Sequence, residues 1–409
     1  MAFNPLEEKG TPLEKQIRNW SDLNVSPYDK NTVHPYTRTR IILMNGIETE
    51  AAMFKHHFNR HTDNVDLKKS LALTRAIEQQ HQKKVNWLAP GNESNLEVTI
   101  GYEQVAVDLT AWLARTEPDP YVKDALDFAL LEDFDHLYRY ANLLEMTEGK
   151  QANKTVKDLT EITPGRPTYA HHRHPFDNLT RHIDKNTADI LTKMHILTII
   201  AAEQQTMNYY MNIGNRTENM LARGLYAEIG SVEEEHVTHY ESLDDPTCSW
   251  FEMMLMHEYN ECYMYYSCWS SEPDDRIKQI WEHHLNNEIE HLRIACNLMK
   301  QYEKRDPLEL LPKELPELTI FQSNVDYVRQ ILASQVDFTE SDMQFLPLAE
   351  VQDKSRFEMY QKAVNDSMGF IPSQKVIEEN IRIHQRDYRV EIKGPHPVKR
   401  LQSREKVTV

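Results

Sequence analysis

The sequence predicts an all-α protein: two tandem four-helix bundles followed by an irregular, short-helical C-terminal tail. Three observations carry that reading. Glycine is scarce, at 11 of 409 residues, and no stretch alternates polar and apolar residues for long, which disfavours sheets. Eight long segments instead place apolar residues at helical spacing. Most tellingly, one pattern occurs four times: a Glu, an acidic residue thirty positions on, and a His three further. It reads Glu48…Glu78-Gln-Gln-His81, then Glu103…Asp133-Phe-Asp-His136, then Glu203…Glu233-Glu-Glu-His236, then Glu258…Glu288-Ile-Glu-His291.

The copies form a two-level repeat. The second follows the first by 55 positions and the fourth follows the third by 55, while the first pair maps onto the second with a shift of 155. Other residues obey the same shift. Thr62 and Asn64 map to Thr217 and Asn219, Glu117-Pro118-Asp119 to Glu272-Pro273-Asp274, and Asn142-Leu143 to Asn297-Leu298. A tandem duplication of a domain that is itself two related hairpins accounts for all of these.

Residues 1–36 are punctuated by Pro5, Pro12, Pro27 and Pro35 and read as an arm, with a helical turn near Leu13–Trp20, lying on a domain or on a second copy of the chain in a homodimer. The first bundle occupies 37–146. Its helices are expected over Arg38–Arg60, Val65–Asn86 (capped by Thr62 or Asp63), Leu96–Arg115 and Tyr121–Glu145, with Pro120 in a first helical turn. A linker, 147–184, turns rich in Pro and His at Thr163-Pro-Gly-Arg-Pro-Thr-Tyr-Ala-His-His-Arg-His-Pro175. The second bundle, 185–302, repeats the scheme over Asn186–Ile213, Asn219–Tyr240, Ser249–Ser270 and Asp275–Gln301. Residues 303–409 form a C-terminal extension. Short helices are expected near Asn324–Ala333, Leu348–Ser367 and Ser373–Arg386, then a mildly basic end at Gly394-Pro-His-Pro-Val-Lys-Arg400, and the whole is expected to wrap a bundle or a partner subunit.

Composition narrows the function. A formal net charge of −18 argues against wholesale binding of nucleic-acid backbones. No apolar run is long enough to span a membrane, and the N-terminus lacks an apolar signal core. The four cysteines, Cys248, Cys262, Cys268 and Cys296, form no Cys-x-x-Cys pair, so neither a rubredoxin knuckle nor a zinc ribbon is encoded; free thiols in a cytoplasmic protein are expected.

The spacing itself describes a metal site. Residues three apart on a helix share a face, so Glu-x-x-His projects a carboxylate beside an imidazole. Thirty residues allow about twelve helical residues down, a turn of about six and about twelve back, which returns the second acid to the height of the first. One hairpin then offers two carboxylates and a His, and two facing hairpins offer four carboxylates and two His. Hard oxygen donors with imidazole and no thiolate suit Fe or Mn rather than structural zinc.

This pattern, over 37–146 and 185–301, resembles the ferritin-like di-iron superfamily of ferritins, rubrerythrins, ribonucleotide reductase small subunits and bacterial multicomponent monooxygenases. The resemblance implies two metal ions per bundle. In site one, Glu48 and Glu103 would be terminal ligands, Glu78 and Asp133 bridging, His81 and His136 terminal. In site two, Glu203 and Glu258 would be terminal, Glu233 and Glu288 bridging, His236 and His291 terminal. This sequence departs from the family in three ways. Asp133 has a shorter arm than Glu, and Glu132 beside it points about 100° away. Two sites in one chain are unusual. The third departure is the connection between the second and third helices: about ten extended residues reach ~33 Å, against a climb of ~21 Å and ~10 Å sideways. Hairpins pairing between the two halves are therefore an open alternative to pairing within each half.

Several other residues stand beside the pattern. Glu261, one turn beyond Glu258, is a candidate extra carboxylate, and its counterpart is Ala106. Tyr102 and His257 directly precede ligand Glu residues and so face another side. The Met- and Tyr-rich segment Trp250–Tyr266 reads as core packing. His171-His-Arg-His174 reads as a solvated loop, and Glu234, Glu235 and Glu290 as outer-face residues or partners of a ligand His.

The function expected is that of a cytoplasmic non-haem oxidoreductase using Fe, or Mn, to activate O2 or peroxide. It would act on a small-molecule substrate with an external electron donor, without nucleic acid or membrane partners. Site two (Glu203, Glu233, His236, Glu258, Glu288, His291), with its full Glu set, is the expected catalytic one. Two other classes fit the same residues: a ferroxidase or iron-sequestering protein, and a helical scaffold with structural metal sites.

Overall fold

Away from the acids and histidines, several of the residues that recur between the two halves are helix start signals. In the computed structural model, which describes residues 3–366, 369–385 and 387–388, Asn64 and Asn219 are the N-caps of equivalent helices. Each side chain accepts the backbone N–H groups of the second and third residues of its helix, and Thr62 and Thr217 accept the N–H of the capping Asn itself. The expected cap at Thr62 or Asp63 is thus corrected to Asn64. Asp119 and Asp274 cap two more helices, each with its own N–H held by the Glu two residues before it. Ser94 with Glu97, and Ser249 with Glu252, form reciprocal capping boxes, a further pair related by the 155-residue shift. Such caps satisfy the orphan N–H groups of a helix end, so a duplicated sequence keeps its helix boundaries.

The elements follow in order as α1 (Trp20–Leu23), α2 (Pro35–Arg60), α3 (Val65–Asn86), α4 (Asn95–Thr116), α5 (Pro120–Glu148), α6 (Ala152–Val156), α7 (Thr168–His171), α8 (Ile190–Ile213), α9 (Met220–Glu241), α10 (Trp250–Ser271), α11 (Asp275–Tyr302), α12 (Val325–Gln335), β1 (Phe338–Ser341), β2 (Gln344–Pro347), α13 (Ser355–Asn365) and α14 (Pro372–His384). The fold is all-α apart from the β1–β2 hairpin, and no described helix is long and apolar enough to cross a membrane. The hairpin was not expected. Its register is antiparallel, Phe338 opposite Pro347, and its two turn residues, Asp342 and Met343, both have positive φ (49° and 62°). Tight two-residue hairpins require that geometry, but the usual Asn-Gly or Asp-Gly signal is missing here.

The chain divides into two units. Unit 1 comprises residues 1–92, 183–202 and 245–321; unit 2 comprises 93–182, 203–244 and 322–409. This corrects the assignment of one bundle to 37–146 and another to 185–302. The first hairpin, α2–α3, shares unit 1 with the fourth, α10–α11. The second, α4–α5, shares unit 2 with α9 and the part of α8 from Glu203 onward.

The connection is the physical reason. Pairing consecutive hairpins by a ferritin-like crossover would require residues 87–94 to run extended back along the bundle, and here that segment is folded into turns. The segment between α5 and α8, residues 149–189, is long enough to return along a bundle, and it lies between the two hairpins of unit 2.

Unit 2 is closed by an apolar cluster that includes Ile100 and Val107 of α4, Leu130 and Phe134 of α5, Leu225 and Ile229 of α9, Leu332 of α12 and Val376 of α14. Helices α12 and α14 of the tail pack into this cluster, while residues 303–321 belong to unit 1. The basic end at 394–400 lies outside the described residues. In unit 1, Leu43, Met44, Leu71, Ile77, Leu255, Ile277 and Trp281 are buried on the inward faces of their helices.

Glu252 ties a capping box to two cations. It accepts from Ser249 N at 2.8 Å, Lys185 Nζ at 2.7 Å and Arg305 Nη1 at 2.5 Å. Burial would raise its carboxyl, but these donors hold it down at about 2. A carboxyl depressed in the folded state stabilises above its unfolded value and loses that contribution as pH falls through about 4.5 towards 2. Glu252→Gln is expected to cost about 1 kcal/mol at neutral pH, discounted for the exposed cations. Chemical denaturation should show the gap to wild type closing below about pH 3.

Candidate metal centres

In unit 2 the six pattern residues of the second and third hairpins converge. Asp133, Glu203, Glu233 and His236 each offer a donor atom, all within 4.8 Å of one another; Glu103, His136 and Glu233 form a second such group. Glu233 belongs to both. His136 Nδ1 lies 3.1 Å from Glu233 Oε1, and His236 Nδ1 lies 3.3 Å from Glu233 Oε2 and 3.2 Å from Asp133 Oδ1. The shorter Asp133 arm therefore still reaches the centre. All six residues are buried. Burial pushes Glu103 and Glu203 well above the usual carboxylate range, reinforced by Glu233 at the first and Asp133 at the second. Against its own burial, Glu233 is held down at about 2 by the two imidazoles.

Unit 1 brings together the first and fourth hairpins. Glu78, Glu258, Glu288 and His291 form one donor group within 4.8 Å; Glu48, His81 and His284 form another, and Glu48, Glu261 and Glu288 a third. Here Glu48 and Glu288 each belong to two groups, and Glu288 lies 2.7 Å from His81 Nδ1 and 2.8 Å from His291 Nδ1. Against its burial, His291 and His81 hold Glu288 well below the usual range, while Glu48 and Glu288 raise His81 to about 9. A buried lysine, Lys55 of α2, enters this centre. Its Nζ touches Glu78 Oε1 and lies 2.7 Å from Glu258 Oε1. Burial alone would lower its ammonium, but Glu258, Glu261 and Glu288 hold it above its ordinary value.

The outer nitrogens of the ligand imidazoles are held by one repeat position, the residue before the acid of the facing hairpin. Glu132 Oε2 lies 2.9 Å from His236 Nε2, and Asn287, at the equivalent position, has its amide 2.8 Å from His81 Nε2. The Asn287 Oδ1 has no partner as placed, so turning the amide over lets it accept from His81. Glu132 is fixed in turn by Arg173 Nη1 at 2.5 Å and Arg166 Nη1 at 3.4 Å; against burial, Arg173 and His236 hold it well below the usual range. The other two equivalents, Ile77 and Val232, are apolar. Gln16 of the N-terminal arm fills one vacancy, with Oε1 2.8 Å from His291 Nε2. The arm approaches closely there: Thr11 N donates to Asn286 O at 2.7 Å, and a Cβ on Gly10 would lie 2.5 Å from Glu290 N.

All twelve expected ligands thus reach a centre, but not the two sets expected. Site one and site two, as read from the sequence, are each split between units. Glu203, Glu233 and His236 meet Glu103, Asp133 and His136; Glu258, Glu288 and His291 meet Glu48, Glu78 and His81. Glu261 does join the acids of unit 1. Glu132 lies outside the donor groups and holds the outer nitrogen of His236. His171-His-Arg-His174 is corrected from a solvated loop: His171, His172 and Arg173 are buried, and Arg173 and His172 pair with Glu132 and Glu235. Tyr102 and His257 face elsewhere, stacked on Tyr209 and Phe54. Glu234 is exposed, and Glu290 binds Arg293. Sequence reasoning missed Lys55, His284 and Gln16. Lys55 and His284 sit on helix faces the repeat made legible, but neither belongs to the repeated pattern.

The residues fit a dinuclear metal. Asp133 Oδ2, both oxygens of Glu203 and Glu103 Oε2 are buried without a hydrogen-bond partner, within the two donor groups that share Glu233. Among the described residues no lysine or arginine pairs with the four carboxylates of unit 2. Buried acids this close require a cation or bound protons. Comparison with protein-family models, curated proteins and solved structures finds no match to this chain.

Proposed function

We propose that this chain is a non-haem di-iron, or di-manganese, oxidoreductase whose unit 2 centre activates O2 or peroxide, built from ferritin-like helix hairpins. Glu233 carries the reading: one carboxylate shared by two donor groups, each with its own His and its own further Glu, is the donor set of two bridged hard cations. When bound, two such ions supply Lewis acidity and the electrons for reducing O2 or peroxide. The chain's own part is to set that chemistry up. Glu103 with His136, and Glu203 with His236 and Asp133, fix the two sides, and Glu233 is shared between them. Four carboxylates offset four positive charges. Tyr210 donates to Glu103 Oε1 and leaves Oε2 free, while Glu132 and its arginines hold His236 by its outer nitrogen. Buried Leu130, Phe134 and Ile229 help exclude bulk water. The chain has four free cysteines and no rubredoxin-type pair, so electrons come from a partner or from the substrate; a reducing cytoplasm keeps those thiols free.

Protein purified without oxygen should contain iron or manganese, and its near-ultraviolet absorption should change on adding O2. Glu233→Ala should remove both unit 2 ions and the absorption change. Loading with hundreds of iron atoms would point to storage instead, and a metal-free chain with a melting temperature indifferent to chelator to a scaffold.

Two further outcomes separate the roles. Glu132→Gln keeps the shape but weakens the acceptor for His236, and metal affinity of unit 2 should fall by roughly 10- to 100-fold in a competitive chelator titration. Burial pushes the Glu103 and Glu203 carboxyls well above their usual range, so metal uptake should release protons. Calorimetry in buffers of different ionisation enthalpy should show that release, with apparent affinity falling as pH drops from about 8 to about 6.

A further inference from the structure

The two centres differ at one repeat position, seven residues beyond the first Glu of each hairpin. It holds Lys55, Thr110, Tyr210 and Tyr265. Seven residues are two helical turns, so each side chain lies on the face of its own Glu. Each of the long ones reaches the first Glu of the facing hairpin. Tyr265 donates to Glu48, Tyr210 donates to Glu103, and Lys55 pairs with Glu258 at 2.7 Å. In unit 2 the position matching Lys55 is Thr110, whose buried Oγ1 has no partner, and Glu203 opposite keeps both oxygens free. In unit 1 the ammonium of Lys55 sits on Glu78 and Glu258 together, two members of the four-donor group Glu78, Glu258, Glu288 and His291.

We infer that Lys55 stands in for one of the two cations of the unit 1 centre, leaving that centre a mononuclear site for a divalent ion on Glu48, His81 and Glu288. This rests on the proposed metal-binding reading of both centres. A divalent ion bound to Glu78 and Glu258 would lie within a few ångströms of a buried like charge, away from bulk solvent. The remaining side of the centre is enriched in donors instead. His284 and Glu261 join Glu48 there, and both are peculiar to unit 1: the matching positions of the facing hairpins of unit 2 hold Ile229 and Thr206. Buried oxygens aim into the site without hydrogen-bond partners, namely Glu48 Oε2 and both oxygens of Glu261. Tyr265 bridges the pair, donating to Glu48 and lying 3.0 Å from His284 Nδ1. The chain then carries one dinuclear and one mononuclear centre from a duplicated ligand set.

The test counts metal. The full chain is loaded anaerobically with Fe(II), desalted and analysed for iron against protein, for wild type and for Lys55→Gln, with melting temperature as the folding check. Wild type is expected to hold about three ions and Lys55→Gln about four. The Glu233→Ala chain, with unit 2 emptied, is expected to hold about one; it tests unit 1 without altering Lys55. A wild-type count of four, a Lys55→Gln count that stays at three, or two ions remaining in Glu233→Ala would each overturn the inference. A wild-type chain holding no iron would sink the metal reading beneath it instead.

Discussion

Like charge brought together away from water is the constraint on which this structure turns. The unit 2 centre gathers four buried carboxylates, and the unit 1 centre five when Glu261 is included. Each uncompensated buried ion costs on the order of several kcal/mol, so the helices that bring them together are stable only if something positive, or a proton, comes with them. Two imidazoles in each centre meet part of this demand, and Lys55 meets more of it in unit 1. The remainder is what divalent cations would supply. The buried oxygens without partners are the visible trace of that unmet demand.

The geometry that concentrates the charge is simple. Each hairpin returns an acid to the height of the first Glu, and each Glu-x-x-His or Asp-x-x-His sets an imidazole on the same face. N-caps at Asn64, Ser94, Asp119, Asn219, Ser249 and Asp274 fix where helices begin, and therefore the phase of each ligand. Support then comes from beyond the repeat: Glu132 on Arg173 and Arg166 in unit 2, and Asn287 with the arm's Gln16 in unit 1.

Much of this was legible from residues alone, because helix periodicity and ligand spacing are local. The helix from Val65 to Asn86 and all twelve candidate ligands could be placed by counting. Pairing of hairpins could not, because it depends on whether residues 87–94 stretch or turn, and a short polar connection permits both. The Arg173 segment was misread because its composition resembles a solvated loop, whereas its burial is fixed by acids on α5 and α9 distant in sequence. Lys55 was invisible for a related reason. Its chemistry arises only once Glu258, some two hundred residues away, is known to face it.

The most direct test of these centres is to locate the ions. Crystals of the full chain grown with iron, with diffraction recorded on both sides of the iron absorption edge, would show where the metal lies. The account predicts two anomalous peaks about 3.5–4 Å apart, enclosed by Glu103, Asp133, His136, Glu203, Glu233 and His236. It also predicts separate density at Glu48, His81 and Glu288. Absence of anomalous density at these residues, or a peak joining Glu48 to Glu103, would contradict it.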